Sequence, residues 1–185
     1  MRLSGNTVLI TGGASGIGFA FAEAFLEAGS TVIICGRRAK KLDEAHEIHP
    51  EIHWRICDIS EERDREELAD WVAANFPSLN ILVNNAGIQR DIDFTHGIDD
   101  FMAGENEIRT NLEASIILSG LFIPQLAKKP GAAIINVSSG LGFVPAARMP
   151  VYSATKAVGL AGKRLAGVRD ELRLSGIEFD TMEFG

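Results

Sequence analysis

Continuous apolar runs and three-four periodic segments alternate along this chain. Thr7 to Thr11 (TVLIT) is a short apolar run rich in β-branched residues that stops at glycines, the pattern of a strand buried on both faces. From about Ile17 to Ala28 the apolar residues Ile17, Ala20, Phe21, Ala24, Phe25 and Ala28 recur at three and four, and Gly29 closes what this spacing predicts to be a helix. Thr31 to Cys35 is strand-like again, and a charged helix follows Gly36-Arg37-Arg38 to about His46. The alternation continues with Ile52 to Cys57 as strand, Glu61 to Asn75 as helix and Ile81 to Asn84 as strand. A long helical zone from about Ile98 to Leu126 comes next, then a strand at Ala132 to Val137, a helix at Val151 to Leu174 and a weak strand at Ile177 to Met182. Such regular alternation predicts an α/β fold, with a parallel sheet covered by helices on both faces. The charge run Glu61 to Glu67 reads as a solvated helix face, with Leu68, Trp71 and Val72 turned inward. No repeat, low-complexity tract or linker interrupts the pattern, so residues 1–185 are expected to form a single domain.

Composition narrows the functional classes. With 185 residues and 46% hydrophobic content the chain can bury one sizeable core. A net charge of -7 and a pI near 5.1 argue against nucleic acid or an anionic membrane as partner, since both require a basic face. Cys35 and Cys57 fall in apolar runs without CxxC spacing, and are expected to be buried thiols in a reducing compartment. The opening Met-Arg-Leu-Ser-Gly-Asn is too short for a signal peptide, and no stretch reaches the length of a membrane span, so a cytoplasmic location is the default. His46, His49 and His53 have metal-like spacing, but Pro50 and a helix-to-strand transition intervene and no carboxylate or thiol set completes a shell; no metal is expected.

Two stretches carry chemistry. Between the first strand and helix lies Thr11-Gly-Gly-Ala-Ser-Gly-Ile-Gly18, where glycines permit a tight turn and close approach of backbone N–H groups to a pyrophosphate at a helix N-terminus. Phe19 stands where a P-loop needs Lys, and Ser15 is outside a GxSxG elbow, so neither nucleotide hydrolysis nor acyl transfer is supported. A glycine-rich turn with no ligand is the plain alternative. Farther on, Tyr152 and Lys156 are four apart and share a helix face. An ammonium there favours phenolate, and a phenol so placed can act as general acid or base. Taken alone this spacing is unremarkable on any amphipathic helix.

The spacing Gly12-x-x-x-Gly16-x-Gly18, together with Asn84-Asn-Ala-Gly87, Asn111, Ser138-Ser139 and Tyr152-x-x-x-Lys156, resembles the short-chain dehydrogenase/reductase family over nearly the whole chain. The resemblance implies a Rossmann-type doubly wound sheet of strand order 3-2-1-4-5-6. It implies an NAD(P)-dependent oxidoreductase moving a hydride between nicotinamide and a carbonyl or secondary alcohol. Tyr152 would exchange the proton, and Lys156 would tune it and hold the ribose. Ser139, in preference to Ser138, would bond the substrate oxygen. Asn111 would sit at a helix irregularity and complete a proton relay through water. Gly12, Ser15, Gly16, Ile17 and Gly18 would hold the pyrophosphate, Asn85, Ala86 and Gly87 would pass under the adenosine ribose, and Asp58 and Ile59 would flank the adenine. Asp58 has a competing role as cap of the helix near Glu61.

An acidic residue at the end of strand two would select NAD by bonding the ribose 2′-hydroxyl. Gly36 stands there instead, and Arg37-Arg38 follow, so NADP(H) is favoured over NAD(H), with Arg37 the first candidate for the 2′-phosphate. The alternative is that both arginines merely begin an exposed helix. Loops Ile88 to Gly97 and Gly140 to Pro150 are expected to border a small-molecule substrate, with Leu141, Phe143, Val144 and Met149 as an apolar wall and Gln89, Arg90 and Arg148 toward a polar tail. Gly159, Gly162 and Gly167 would allow close helix approach, and family resemblance implies a homodimer through the helices carrying Asn111 and Tyr152. Relatives continue into a substrate-covering segment and a seventh strand; the chain stops at Gly185, with Asp180 and Glu183 interrupting its last strand. A shortened domain lacking that lid and strand is therefore expected. The competing reading is a catalytically incompetent dinucleotide-binding or interaction module.

Overall fold

A computed structural model describes residues 3–161 and 178–184. Six strands, β1 (Thr7–Thr11), β2 (Thr31–Gly36), β3 (His53–Ile56), β4 (Ile81–Asn84), β5 (Ala133–Ser139) and β6 (Glu178–Phe184), form one sheet in the order β3-β2-β1-β4-β5-β6. Every neighbouring pair is parallel, as the Rossmann reading expects. The helices are α1 (Gly16–Glu27), α2 (Ala39–Ile48), α3 (Glu62–Asn75), α4 (Asp99–Met102), α5 (Ala114–Leu126) and α6 (Pro150–Ala161).

Continuous apolar strands follow from a core on each side of the sheet. Leu9, Ile33, Leu82 and Ile134 pack with Leu68 and Val72 of α3 and Leu118, Phe122 and Leu126 of α5. Val8, Ile10, Ile34 and Val83, which alternate with them, pack with Ala22 and Phe25 of α1 and Leu42 of α2. Successive strand side chains point to opposite faces, so both parities must be apolar when both faces are covered. Cys35 and Cys57 are buried and unbridged. β6 pairs along β5 through Ile135↔Asp180 and Ser138↔Glu183, so the strand forms in spite of its two carboxylates. The sequence-predicted Leu174 helix end, Gly162, Gly167 and Ile177 lie outside the described residues.

Three expectations change. The buried seam of α1 is Gly18, Ala22 and Phe25, while Ile17 is 45% exposed, because it faces a cleft. Arg65, inside the charge run, is 2% exposed: it lies on the same helix seam as Leu68 and Val72. Its guanidinium donates to the Ile59 carbonyl at 2.7 Å and lies 3.6 Å from the Glu113 carboxylate. The zone Ile98 to Leu126 is broken. After α4 the chain turns through Gly104, resumes as helix at Glu107, and widens into a π-helical segment at Arg109–Glu113 before α5. Arg90 occupies the break: it donates to the carbonyls of Asp100, Phe101 and Glu105, and a Cβ at Gly104 would sit 2.7 Å from its guanidinium.

Candidate active site

The β1–α1 turn is built from groups that only a side-chain-free backbone allows. Gly12 and Gly16 have φ of 65° and 57°, in the left-handed region that favours glycine. A Cβ at Gly18 would lie 2.4 Å from Asn85 Nδ2 and 2.5 Å from the Gly12 carbonyl oxygen. That amide donates to the carbonyls of Thr11 (2.9 Å) and Gly12 (3.3 Å), so the glycine loop and the Asn-Ala-Gly segment lock together. Thr11 adds the opposite half, its hydroxyl accepting the N–H groups of Asn85 and Ala86, both at 3.0 Å. Thr11 was not singled out by the sequence; its position at a strand end beside the glycines was the available signal.

A cleft of about 480 Å³ opens at the carboxyl ends of β1, β2 and β4. Gly12, Ser15, Ile17, Gly18, Arg37, Arg38, Asp58, Ile59, Asn85, Ala86 and Gly87 all line it; Gly16, at the start of α1, does not. Lys41 and Thr110 line it too, and the motifs had not indicated them. The donor set fits a dinucleotide pyrophosphate: α1 has no acidic residue in its first turn, where unpaired N–H groups and the helix dipole favour an anion. Arg38 extends that basic end by donating to Ser15 Oγ at 3.0 Å.

Arg37 is differently engaged. Its guanidinium meets both Glu105 carboxylate oxygens, at 2.9 and 3.0 Å, and comes within 3.7 Å of Asp58. Asp58 itself does not cap α3. Its Oδ1 accepts the Ser60 N–H and hydroxyl, closing a turn ahead of the helix.

Where the cleft ends at Gly87 and Ile88, it meets Asn111 and Lys156. A Cβ at Gly87 would be 3.2 Å from Asn111 Oδ1 and 3.7 Å from Lys156 Nζ, so glycine sits in the corner those two form. Asn111 lies in the π segment, the irregularity expected of it. Its amide accepts the Ile88 N–H and donates to the Ile88 carbonyl, both at 2.8 Å, and donates to Thr155 Oγ1 at 3.3 Å. Thr155 in turn donates to the Tyr152 carbonyl at 2.7 Å, a link between the π segment and α6 that the motif spacing did not reveal.

Lys156 is 8% exposed, and burial pushes its ammonium pKa down. Its Nζ donates to the Val137 carbonyl at 2.9 Å and stands 5.5 Å from the Tyr152 ring centroid. Ser138 is buried and donates to the Lys156 carbonyl at 3.2 Å, which leaves it a structural strut. Ser139 ends β5, with its Oγ accepting the Leu141 N–H at 3.2 Å.

The bordering loops depart from expectation in their polar residues. Arg90 is spent on main-chain carbonyls, Arg148 pairs with Asp91, and Gln89 contacts the Met149 sulfur. The loops are also joined by Ile92 N–H to the Arg148 carbonyl at 3.0 Å. Phe143 and Val144 are 61% and 74% exposed, leaving an apolar wall open. Behind this region Glu107 is 1% exposed; it accepts the Arg90 N–H through Oε1, and burial pushes its carboxyl pKa up. Elsewhere, His46 meets the Ile52 carbonyl, His49 meets Glu23 and His53 packs on Phe76.

Comparison with known proteins agrees with this arrangement. The profile of the short chain dehydrogenase family matches residues 6–183. "Uncharacterized oxidoreductase DltE" of Bacillus subtilis (strain 168) is 50% identical over 157 residues, covering 85% of this chain; the match spans 62% of that relative's length. The 15-hydroxyprostaglandin dehydrogenase [NAD(+)] of Mus musculus is 31% identical over 192 residues, covering 98% of this chain and 67% of its own. Among solved structures, a short-chain dehydrogenase from Streptomyces avermitilis superposes with a TM-score of 0.85 at 29% identity, over 97% of this chain and 65% of that one. On its family profile, its relatives and its parallel sheet, this chain belongs to the short chain dehydrogenase family.

Proposed function

We propose that this protein is an NADP(H)-dependent oxidoreductase acting on a carbonyl or secondary alcohol, with Tyr152 as general acid and base. The observation that carries the reading is the corner at Gly87, where the end of the cleft meets Asn111 and Lys156 so closely that a Cβ would stand 3.2 Å from the Asn111 oxygen. The cofactor, when bound, supplies the hydride. The protein's part is proton management. Tyr152 gives its hydroxyl proton to the substrate oxygen in reduction and takes it back in oxidation. Lys156 stabilises the phenolate so formed, as a buried ammonium does for a nearby anion. Ser139 orients the substrate oxygen. Asn111, clamped to Ile88, holds the corner in which protons pass from Lys156 toward solvent.

NADP(H) is favoured because β2 ends in Gly36 rather than an acid, while Arg37, Arg38 and Lys41 surround that end of the cleft. A homodimer belongs to the same proposal. Ile108, Ile116 and Leu121 on the helix carrying Asn111, and Val158 on α6, are exposed apolar residues that a second copy would cover.

Fluorescence titration with NADPH and NADH tests the reading. Saturable binding of both is expected, with NADPH tighter by about tenfold or more, the size of one or two charge-assisted contacts. Absence of saturable binding would overturn the dinucleotide reading, and equal affinities would overturn the NADP(H) preference.

A further inference from the structure

Arg37, Arg38 and Lys41 each have a partner, but not of one kind. Arg38 is held by a neutral hydroxyl, that of Ser15, and Lys41 by Glu44 of its own helix. Arg37 is held by a carboxylate from a distant segment. Glu105 belongs to the turn between α4 and the π segment, sixty-eight residues away in sequence. It presents both carboxylate oxygens to the guanidinium in a fork that a planar guanidinium matches closely.

This turn is not a loose loop. Arg90 donates to the Glu105 carbonyl at 3.0 Å and fills the space over Gly104, while the Arg90 N–H is itself held by buried Glu107. The backbone that carries Glu105 is thereby anchored to the segment following Gly87. The carboxylate is delivered to one place, above the end of β2, where a 2′-substituent would be read. A half-exposed ion pair contributes little to stability, so stability is a poor explanation for so much anchoring.

We propose that Glu105 is a specificity-determining residue: by holding Arg37, it withholds that guanidinium from the ribose 2′ position and limits discrimination for a 2′-phosphate over a 2′-hydroxyl. The inference rests on the dinucleotide reading above. It assigns 2′-phosphate affinity mainly to Arg38, whose partner is a neutral hydroxyl, and makes Arg37 a reserve contact that Glu105 restrains.

The test uses 2′,5′-ADP and 5′-AMP, measured by calorimetry at low salt on the full chain, with discrimination taken as the ratio of their dissociation constants. Glu105→Gln is expected to raise discrimination in favour of 2′,5′-ADP by about fivefold, as one released, partly exposed charge contact would. The gain should shrink at high salt as the charges are screened. In an Arg37→Ala background the same substitution should change discrimination by less than about twofold, since the two residues act as one unit. Unchanged discrimination in Glu105→Gln would overturn the proposal. So would an equal gain in the absence of Arg37, which would mean that Glu105 acts on the phosphate directly. If the unsubstituted chain bound neither probe, the dinucleotide reading would fall and this inference with it. If it bound both and only the Glu105 effect were missing, the inference alone would fall.

Discussion

Tyr152→Phe is expected to lower turnover of a carbonyl panel by about 10²- to 10⁴-fold, the usual worth of a positioned proton donor, while the NADPH dissociation constant stays within about twofold. The asymmetry follows from position. Tyr152 does not line the cleft in which the adenosine and pyrophosphate are proposed to lie, and the substitution removes one oxygen atom without altering the ring. The hydrogen bond linking Tyr152 to Thr155 uses the Tyr152 main-chain carbonyl, so it survives the change and keeps α6 tied to Asn111. Single-turnover kinetics with NADPH, beside a fluorescence titration of the same variant, separate the two quantities. Undiminished turnover would remove Tyr152 from the proposed mechanism. Loss of NADPH binding in proportion to turnover would show that the phenol serves the fold or the cofactor instead.

Gly18→Ala should produce the second large effect, this time on binding. The added methyl carbon would lie 2.4 Å from Asn85 Nδ2 and 2.5 Å from the Gly12 carbonyl, and the second of these is backbone that cannot swing aside. Relief requires the glycine loop to move off the Asn85 amide, breaking the bonds to the Thr11 and Gly12 carbonyls. A cost of about 1–3 kcal/mol in stability is expected, as for other overpacked sites. Dinucleotide affinity should fall by more than about tenfold, because an anion site made of backbone N–H groups depends on their placement. Gly16 offers a contrast: nothing stands within 4 Å of a Cβ there, and its φ of 57° makes the penalty one of conformation alone. Thermal unfolding and NADPH titration of Gly18→Ala check both parts. Wild-type affinity in that variant would show that the loop does not cradle the cofactor.

Much of this architecture could be read from residue order because parallel strands covered on both faces leave an unmistakable trace. Val8 and Ile10 face one core and Leu9 the other, so TVLIT must be apolar throughout. What stayed hidden depends on contacts between distant segments. Gly104 is a local helix-breaking signal, but the Arg90 guanidinium that lies over it and takes up the Asp100, Phe101 and Glu105 carbonyls comes from another segment. Arg65 looked like one more solvated charge, although its helical phase with Leu68 and Val72 was open to inspection. The motifs located Asn111 and Lys156 individually, but their meeting at Gly87 is a property of the folded sheet. Likewise, Arg37 and Arg38 are neighbours in sequence with different attachments, one to Glu105 and the other to Ser15, and no spacing rule separates them.

The π segment at Arg109–Glu113 also governs how this stretch of chain can vary in length. An α-helix turns about 100° per residue, and a π turn accommodates one residue more than the ladder on either side of it. Upstream of the segment stands Glu107, buried beneath the Arg90 N–H; downstream stand Ala114, Leu118, Phe122 and Leu126, buried against the sheet. Losing one codon inside the segment would restore a regular helix with both sets still in phase, but it would remove the widened turn that carries Asn111 to the corner with Gly87. A change of one residue here would therefore leave the packing of Glu107 and of Ala114 to Leu126 in register and act on the site alone. The segment is thus one residue of slack in the helix, spent on placing Asn111 rather than on the packing of the helix against the sheet.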